Sequence, residues 1–347
     1  MNIRYKSGDA YFTSKVAAYY HHFRYDTPQV ECVFKDNSFE DLDWTKEPNE
    51  SFEDLCRERA LQIRDSHKHI TLSFSGGSDS NHILEIFLKY DIKIDQIVVI
   101  RDKIFNLDPH PTNWEVDNHA IPYLKSKNLN IPIRIVDDLT FDHVLDFVSN
   151  DLSHEEWNCA QNVDVTAFNW YFLNQFVPNT MLIDGATHPT IFYDSDLNKF
   201  YTEIWDTDNF YLRTKLTCEH FFTTTDLTKL HLKQCHIVKN YLRSNNLMHA
   251  TKDNYNVYKH VLLKIARPLS FNTTDSPFFH KLDKFYADEK NPVMLAQDKK
   301  TQMFIRHIHK ISDDLSSKYI GNMIQTIGGM PIWKLPFGTR MLKKYLE

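Results

Sequence analysis

A short glycine loop between an apolar segment and a helical pattern constrains this chain more than any other feature. The run from His69 to Phe74 is mostly apolar and β-branched, which predicts a strand, and apolar residues at helical spacing follow over residues 83–88. Between them lies Ser75-Gly76-Gly77-Ser78. A strand that passes through glycines into a helix presents backbone N–H groups and a helix N-terminus, both of which bind anions.

The residue types in this loop suit a phosphate. Gly76 and Gly77 permit a positive φ and a close backbone approach, and Asp79 can hold a Mg²⁺ ion that neutralises phosphate charge. No Gly-Lys-Ser/Thr sequence follows, so this is not a Walker loop. The alternative is an ordinary Ser/Gly turn that caps a helix. The candidate nucleotide-binding residues here are Ser73, Ser75, Gly76, Gly77, Ser78, Asp79 and Ser80.

Composition indicates a globular protein with a sizeable core, since 42% of its 347 residues are hydrophobic. We find neither a signal peptide nor an apolar run long enough to span a bilayer, so we expect a cytoplasmic protein without a membrane partner. The five cysteines include no Cys-x-x-Cys pair. They are interpreted as reduced thiols rather than metal ligands or persulfide carriers.

The net charge of −6 conceals a strong asymmetry along the chain. Residues 1–210 hold 18 Lys/Arg against 35 Asp/Glu, a net of −17, and residues 211–347 hold 22 against 11, a net of +11. The basic part is predicted to close over a triphosphate or to bind an anionic substrate, with nucleic acid as one candidate partner. The alternative is that the two regions simply attract each other.

The order of predicted elements indicates an α/β protein with a doubly wound parallel sheet. Strands are predicted near residues 69–74, 95–101, 131–136 and 180–184, and helices at 51–65, 114–127 and 141–176. From about residue 211 the pattern changes to helices, at 227–243 and 255–265. We therefore divide the chain into an N-terminal flap or extension (1–50), an α/β core (51–210) and a helical, basic C-terminal part (211–347).

The segment Ser75–Ser80 after an apolar strand resembles the pyrophosphate-binding loop of the N-type ATP pyrophosphatase (PP-loop) superfamily. The similarity extends to the synthetase domain of asparagine synthetase over about half of the chain. Glu115 and Ala120 stand where a helix of that family begins, Gly185-Ala186 matches a Gly-Ala pair after a strand, and Tyr193 falls at the expected distance beyond it.

The resemblance implies an adenine nucleotide alpha hydrolase-like fold that uses ATP and Mg²⁺. ATP would be cut between its α- and β-phosphates, a carboxylate or carbonyl oxygen of a small-molecule acceptor would be adenylated, and a nucleophile would displace AMP to form a C–N bond. Ile100 and Arg101 would border the adenosine, Asp79 and Asp184 would hold the metal, and Gly185 would lie at the nucleotide.

The resemblance also implies a C-terminal cation at the phosphates, for which Lys334 and Arg340 are the candidates. The alternative is a docked tail with solvated charges. His188 is a candidate general base and Asp184 a candidate catalytic carboxylate. The corresponding alternatives are a surface or hydrogen-bonded histidine and an aspartate that caps the following turn.

Two departures from the family pattern bear on the reaction. Thr187 replaces the aspartate that the family associates with metal and pyrophosphate, and His188 replaces its catalytic glutamate, which argues against asparagine formation. The chain begins Met1-Asn2-Ile3 and lacks the N-terminal cysteine of a glutaminase, so the nitrogen donor is unidentified. The other hypotheses are a nucleobase- or tRNA-modifying enzyme and a nucleotide-binding protein without catalysis.

Overall fold

The computed structural model describes ten segments of the chain. Of the predicted elements, the helices at 141–176 and 255–265 lie outside these segments. The described residues are 3–12, 15–34, 38–101, 116–137, 180–185, 189–205, 217–248, 326–327, 330–331 and 340–347.

The N-terminal residues form a small antiparallel sheet with one helix. Its strands are β1 (Ile3–Ser7), β2 (Ala10–Phe12) and β3 (Glu31–Phe34), in the order β2-β1-β3, and α1 (Lys15–Tyr25) runs between β2 and β3. Tyr5 and Ala18 are fully buried.

None of the helices in the described segments is long and apolar enough to cross a membrane. The remaining elements follow in chain order. They are α2 (Phe52–Ser66), β4 (Ile70–Ser73), α3 (Ser78–Lys89), β5 (Gln96–Ile100), a π-helical turn (Val116–Ala120), α4 (Ile121–Ser126), β6 (Ile133–Val136), β7 (Met181–Asp184), β8 (Thr190–Asp194), β9 (Lys199–Trp205), β10 (Thr217–His220), α5 (Thr228–Ser244), β11 (Thr326–Ile327), β12 (Met330–Pro331) and β13 (Arg340–Tyr345).

A five-stranded parallel sheet organises the centre of the chain, in the order β10-β7-β4-β5-β6. The four predicted strands of this sheet and the helices α2, α3 and α5 are confirmed. Ser51 caps α2 by accepting a hydrogen bond from the backbone N–H of Asp54 at 3.0 Å, as its spacing predicts. The protein is thus a mixed α/β fold, and the carboxyl ends of its parallel strands share one edge.

The strand β10 was not predicted, because residues 211 onward were expected to be helical. Its sequence Thr-Cys-Glu-His lacks the apolar run of a central strand. The charge of Glu219 is instead matched by Arg59 of α2, a buried guanidinium that also donates to the backbone oxygen of His220 at 3.3 Å. The parallel sheet therefore extends beyond position 210, and the domain division drawn there stays a prediction.

Two apolar clusters hold these elements together. The larger lies between the parallel sheet and helices α2, α3 and α4, and it includes Leu55, Leu72 and Phe87. The smaller joins α5 to an antiparallel sheet of β13, β9 and β8, with Phe200 and Leu342 among its members. Burial of such side chains contributes about 1.5–3 kcal/mol each, so both clusters are substantial sources of stability.

Candidate functional site

The glycine loop leaves the sheet at the carboxyl end of β4, the middle strand. The backbone N–H of Phe74 donates to the oxygen of Val98 at 2.8 Å, which keeps the end of β4 bound to β5. The chain then turns through Ser75, Gly76 and Gly77 into α3. Ligands of open parallel sheets bind at this edge, where loops follow the strand ends.

Gly76 has a backbone conformation that requires glycine. Its φ is +82°, and a Cβ atom added there would lie 2.9 Å from the Cβ of Ala120, below any ordinary contact distance. Gly77 differs, since its φ of −72° is open to any residue. Of the two glycines expected to permit a positive φ, Gly76 adopts one and Gly77 does not; Gly77 serves as the N-cap of α3.

Hydrogen bonds hold the loop in shape. The Oγ of Ser75 accepts from the backbone N–H of Gly77 at 3.2 Å, and the Oγ of Ser80 donates to the oxygen of Gly77 at 3.2 Å. The side-chain amide of Asn81 donates to the oxygen of Gly76 at 3.1 Å. Asn81 is 2% exposed, and sequence reasoning missed it because an asparagine in a helical pattern signals no role.

The N-terminus of α3 suits an anion. Its N-cap is Gly77, and no side chain caps the helix there, in contrast to Ser51 at the start of α2. Backbone N–H groups at the start of a helix point toward an incoming acceptor, and the helix dipole adds favourable potential for an anion there. The predicted phosphate-binding residues Ser78, Asp79 and Ser80 all lie in this first turn.

The end of β7 lies against the same turn of α3. A Cβ added at Gly185 would be 2.9 Å from the Cβ of Asp79 and 3.0 Å from the Cδ1 of Ile83. The structure thus brings together Gly185, its neighbour Asp184 at the strand end, and the helix turn that carries Asp79. Only a residue without a side chain allows this approach.

These two aspartates form the predicted metal site. Within the described segments, no group of three or more His, Cys, Asp or Glu side chains could hold a metal ion by itself. Mg²⁺ typically takes only one or two carboxylates from a protein and completes its shell with water and substrate phosphates. The metal-binding role of Asp79 and Asp184 stays a prediction.

The carboxyl end of β5 carries the other predicted nucleotide contacts. Pairing of β4 with β5 ends at Ser73 and Val98, whereas pairing of β5 with β6 continues to Ile100 and Val136. Ile100 therefore lies two residues past the last residue of β5 that pairs with β4, at the carboxyl end of the sheet. The guanidinium of Arg101 pairs with the carboxylate of Asp117 at 2.9 Å, so its side chain is held by the π-helical turn.

Four of the predicted site residues have side chains outside the described part of the chain. Thr187, His188 and Lys334 lie outside the described residues, and so does the side chain of Arg340, whose backbone begins β13 opposite Trp205. Their catalytic roles stay predictions.

The cations of α5, which were candidates for contacting nucleic acid, have partners within the chain. Two of these partners are glutamates from the acidic region, as expected if the acidic and basic regions attract each other. The pairs are Lys229 with Glu50 at 2.6 Å, Lys233 with Glu47 at 2.7 Å, Lys239 with the backbone oxygen of Leu346 at 3.0 Å, and Arg243 with Glu347.

A buried histidine contributes to the anchoring of α5. The Nε2 of His236 lies 3.0 Å from the backbone oxygen of Trp44 and must donate to it, while its Nδ1 accepts from the ammonium of Lys239 at 2.9 Å. Both hydrogen bonds require the neutral ring. Burial, together with the charge of Lys239, lowers the pKa of His236, and burial lowers the pKa of His220 to about 3.

We expect the free energy of unfolding to fall as the pH drops from 7 to 5. Below about 6.5 the unfolded chain protonates both histidines, whereas the folded chain keeps His220 neutral and binds a proton at His236 less readily than the unfolded chain does. Each histidine can therefore contribute a slope of up to about 1.4 kcal/mol per pH unit. Denaturant unfolding at several pH values measures this. The His236→Gln variant should show a shallower dependence, and a slope equal to that of the natural protein would contradict the assignment.

A scan against protein-family models finds no match for this chain. A search of curated proteins finds none either.

Proposed function

We propose that this protein is an ATP-dependent, AMP- and pyrophosphate-forming ligase of the N-type ATP pyrophosphatase kind, resembling the synthetase domain of asparagine synthetase. The observation that carries the proposal is the passage of β4 through the positive-φ Gly76 into the side-chain-free N-cap of α3. Two further positions of the resemblance, Ala120 and Gly185, pack against this loop and its helix. Their convergence supports a nucleotide site rather than an ordinary helix cap.

The proposal extends to the fold. A parallel sheet with its nucleotide loop on the middle strand is compatible with a doubly wound, adenine nucleotide alpha hydrolase-like core. We assign the loop and the first turn of α3 to the β- and γ-phosphates, and the protruding end of β5 at Ile100 to the adenosine.

The reaction follows from these positions. An acceptor oxygen attacks the α-phosphorus of ATP, and the bond to the bridging oxygen breaks so that pyrophosphate leaves with that oxygen. The N–H groups of α3 stabilise the departing charge, and Lys334 or Arg340 adds a cation. Asp79 and Asp184 would hold Mg²⁺, which would supply further charge neutralisation.

A nucleophilic nitrogen completes the cycle. It attacks the activated carbon, the C–O bond to AMP breaks, and the nitrogen loses a proton. His188 is our candidate for the group that accepts this proton, since an imidazole titrates near neutral pH. The acceptor is a small molecule with a carboxylate or carbonyl group, and the nitrogen donor is not assigned.

Aspartate is expected to be a poor acceptor, because Thr187 and His188 replace the family's acidic pair. Isotope-labelled aspartate supplied with ATP, Mg²⁺ and ammonia should give no appreciable asparagine. Efficient asparagine formation would overturn this expectation and require another residue to act as the missing carboxylate.

Competition binding tests the site itself. Binding of ATP in the presence of Mg²⁺ should be displaced both by pyrophosphate, which competes for the loop, and by AMP, which competes for the end of β5. Competition by AMP without competition by pyrophosphate would contradict the assignment of the loop. The hypothesis of a nucleic-acid-modifying enzyme is less favoured, because the cations of α5 already pair within the chain.

A further inference from the structure

We infer that the ion pair between Arg101 and Asp117 positions the glycine loop, although neither side chain belongs to the loop. The pair is bidentate: the Nε of Arg101 lies 3.0 Å from one carboxylate oxygen of Asp117, and its Nη2 lies 2.9 Å from the other. Two parallel hydrogen bonds fix the relative orientation of the groups as well as their distance. The pair joins the end of β5 to the π-helical turn.

The sheet side of this pair is rigid. The backbone N–H of Arg101 donates to the oxygen of Val136 at 2.8 Å, so the residue is held as a continuation of the ladder between β5 and β6. The guanidinium therefore extends from a fixed backbone. A carboxylate bound to it takes its position from the parallel sheet.

The other side of the pair contacts the glycine loop. Asp117 lies in the π-helical turn that ends at Ala120, and Ala120 is fully buried. A Cβ on Gly76 would come within 2.9 Å of the Cβ and 3.0 Å of the Cα of Ala120. Gly76 thus packs directly against the backbone of this turn, and displacement of the turn would remove this packing contact from the loop.

A π-helical turn is a suitable place for such a constraint. These turns are rare, they interrupt the regular hydrogen bonding of a helix, and they occur frequently at functional sites. The following helix α4 has its own attachments. The rings of Tyr123 and Phe74 stack with their centroids 6.1 Å apart, and the hydroxyl of Tyr123 donates to Glu85 of α3. The ion pair supplies the corresponding attachment at the start of the turn.

The consequence for nucleotide binding rests on the proposed function, whereas the consequence for the loop does not. If the pair positions the loop, its removal should increase the local opening of residues 75–81 without global unfolding. The pair is partly exposed, with about 37% and 38% of the two side chains accessible, so the expected effect is moderate.

Hydrogen exchange of the amides in residues 75–81, measured without nucleotide, tests the positioning role. In Asp117→Asn we expect exchange there to accelerate about two- to fivefold. The matched control is Glu53→Gln, which removes the similarly exposed Lys89–Glu53 pair at the opposite end of α3. It should leave exchange in the loop unchanged. The reversed pair, Arg101→Asp combined with Asp117→Arg, should restore slow exchange.

Unchanged exchange in Asp117→Asn would overturn the inference, and so would equal acceleration in the Glu53→Gln control. Binding of ATP and pyrophosphate then tests the functional consequence. Both ligands should bind about two- to fivefold more weakly to Asp117→Asn. Pyrophosphate, which lacks the adenosine that Arg101 would border, should regain its affinity in the reversed pair. If the natural protein bound neither ligand, the proposed function would fail, and the exchange measurement would still decide the positioning role. Unaltered affinity beside faster exchange would show that the loop's position does not govern binding.

Discussion

The Asp79→Asn variant should lose pyrophosphate release while keeping its fold. Asparagine retains the shape of the side chain but removes the charge that would hold Mg²⁺ at the phosphates. Loss of several kcal/mol of transition-state stabilisation corresponds to a rate lower by roughly a thousandfold. Pyrophosphate production and thermal melting, measured on the same preparations, give the two readouts.

The matched control for this variant is Asp54→Asn. Asp54 is also an acidic residue in the first turn of a helix, and its substitution removes a comparable interaction with a helix dipole. It lies in α2, away from the loop, so pyrophosphate release should be unaffected. Full activity in Asp79→Asn would refute the role of the loop in phosphate binding.

Gly76→Ala should abolish ATP binding and lower stability. At a φ of +82° a side chain costs about 1–2 kcal/mol, and the added Cβ would lie 2.9 Å from the Cβ of Ala120. The loop can relieve this contact only by moving away from the turn, which displaces the N–H groups that would bind phosphate. Equilibrium binding of ATP, with thermal melting beside it, measures both effects.

Gly8→Ala separates strain from function. Gly8, in the turn between β1 and β2, also has a positive φ, of +61°, and a Cβ added there would lie 3.2 Å from the Cγ2 of Thr27. A comparable cost of about 1–2 kcal/mol is expected, but ATP affinity should be unchanged. ATP binding by Gly76→Ala at the natural affinity would show that the loop conformation is not required for the nucleotide.

The part of the fold that could be predicted depends on local signals. The apolar residues of β4, the glycines after it and the helical spacing in α3 act over a few residues, and all three elements are confirmed. The Ser51 cap of α2 is likewise determined by residues three positions apart. The positive φ of Gly76 followed from the same local pattern.

The parts that could not be predicted depend on contacts between distant residues. The polar strand β10 is stabilised by Arg59, which lies 160 residues before Glu219. The side-chain amide of Asn81 binds a loop oxygen, and the buried ammonium of Lys239 donates to the backbone oxygen of Leu346 just after β13. Nothing in their neighbouring sequence distinguishes these two residues from surface residues. Such roles become visible only when the chain has folded and distant groups meet.

The nucleotide products formed from ATP test the proposed activity most directly. The purified protein is incubated with ATP, Mg²⁺ and a metabolite extract, and phosphorus-containing products are resolved by NMR. We predict AMP and pyrophosphate in equal amounts, absent when Asp79→Asn replaces the natural protein. Formation of ADP and phosphate by the natural protein, retained in Asp79→Asn, would contradict cleavage between the α- and β-phosphates at this loop.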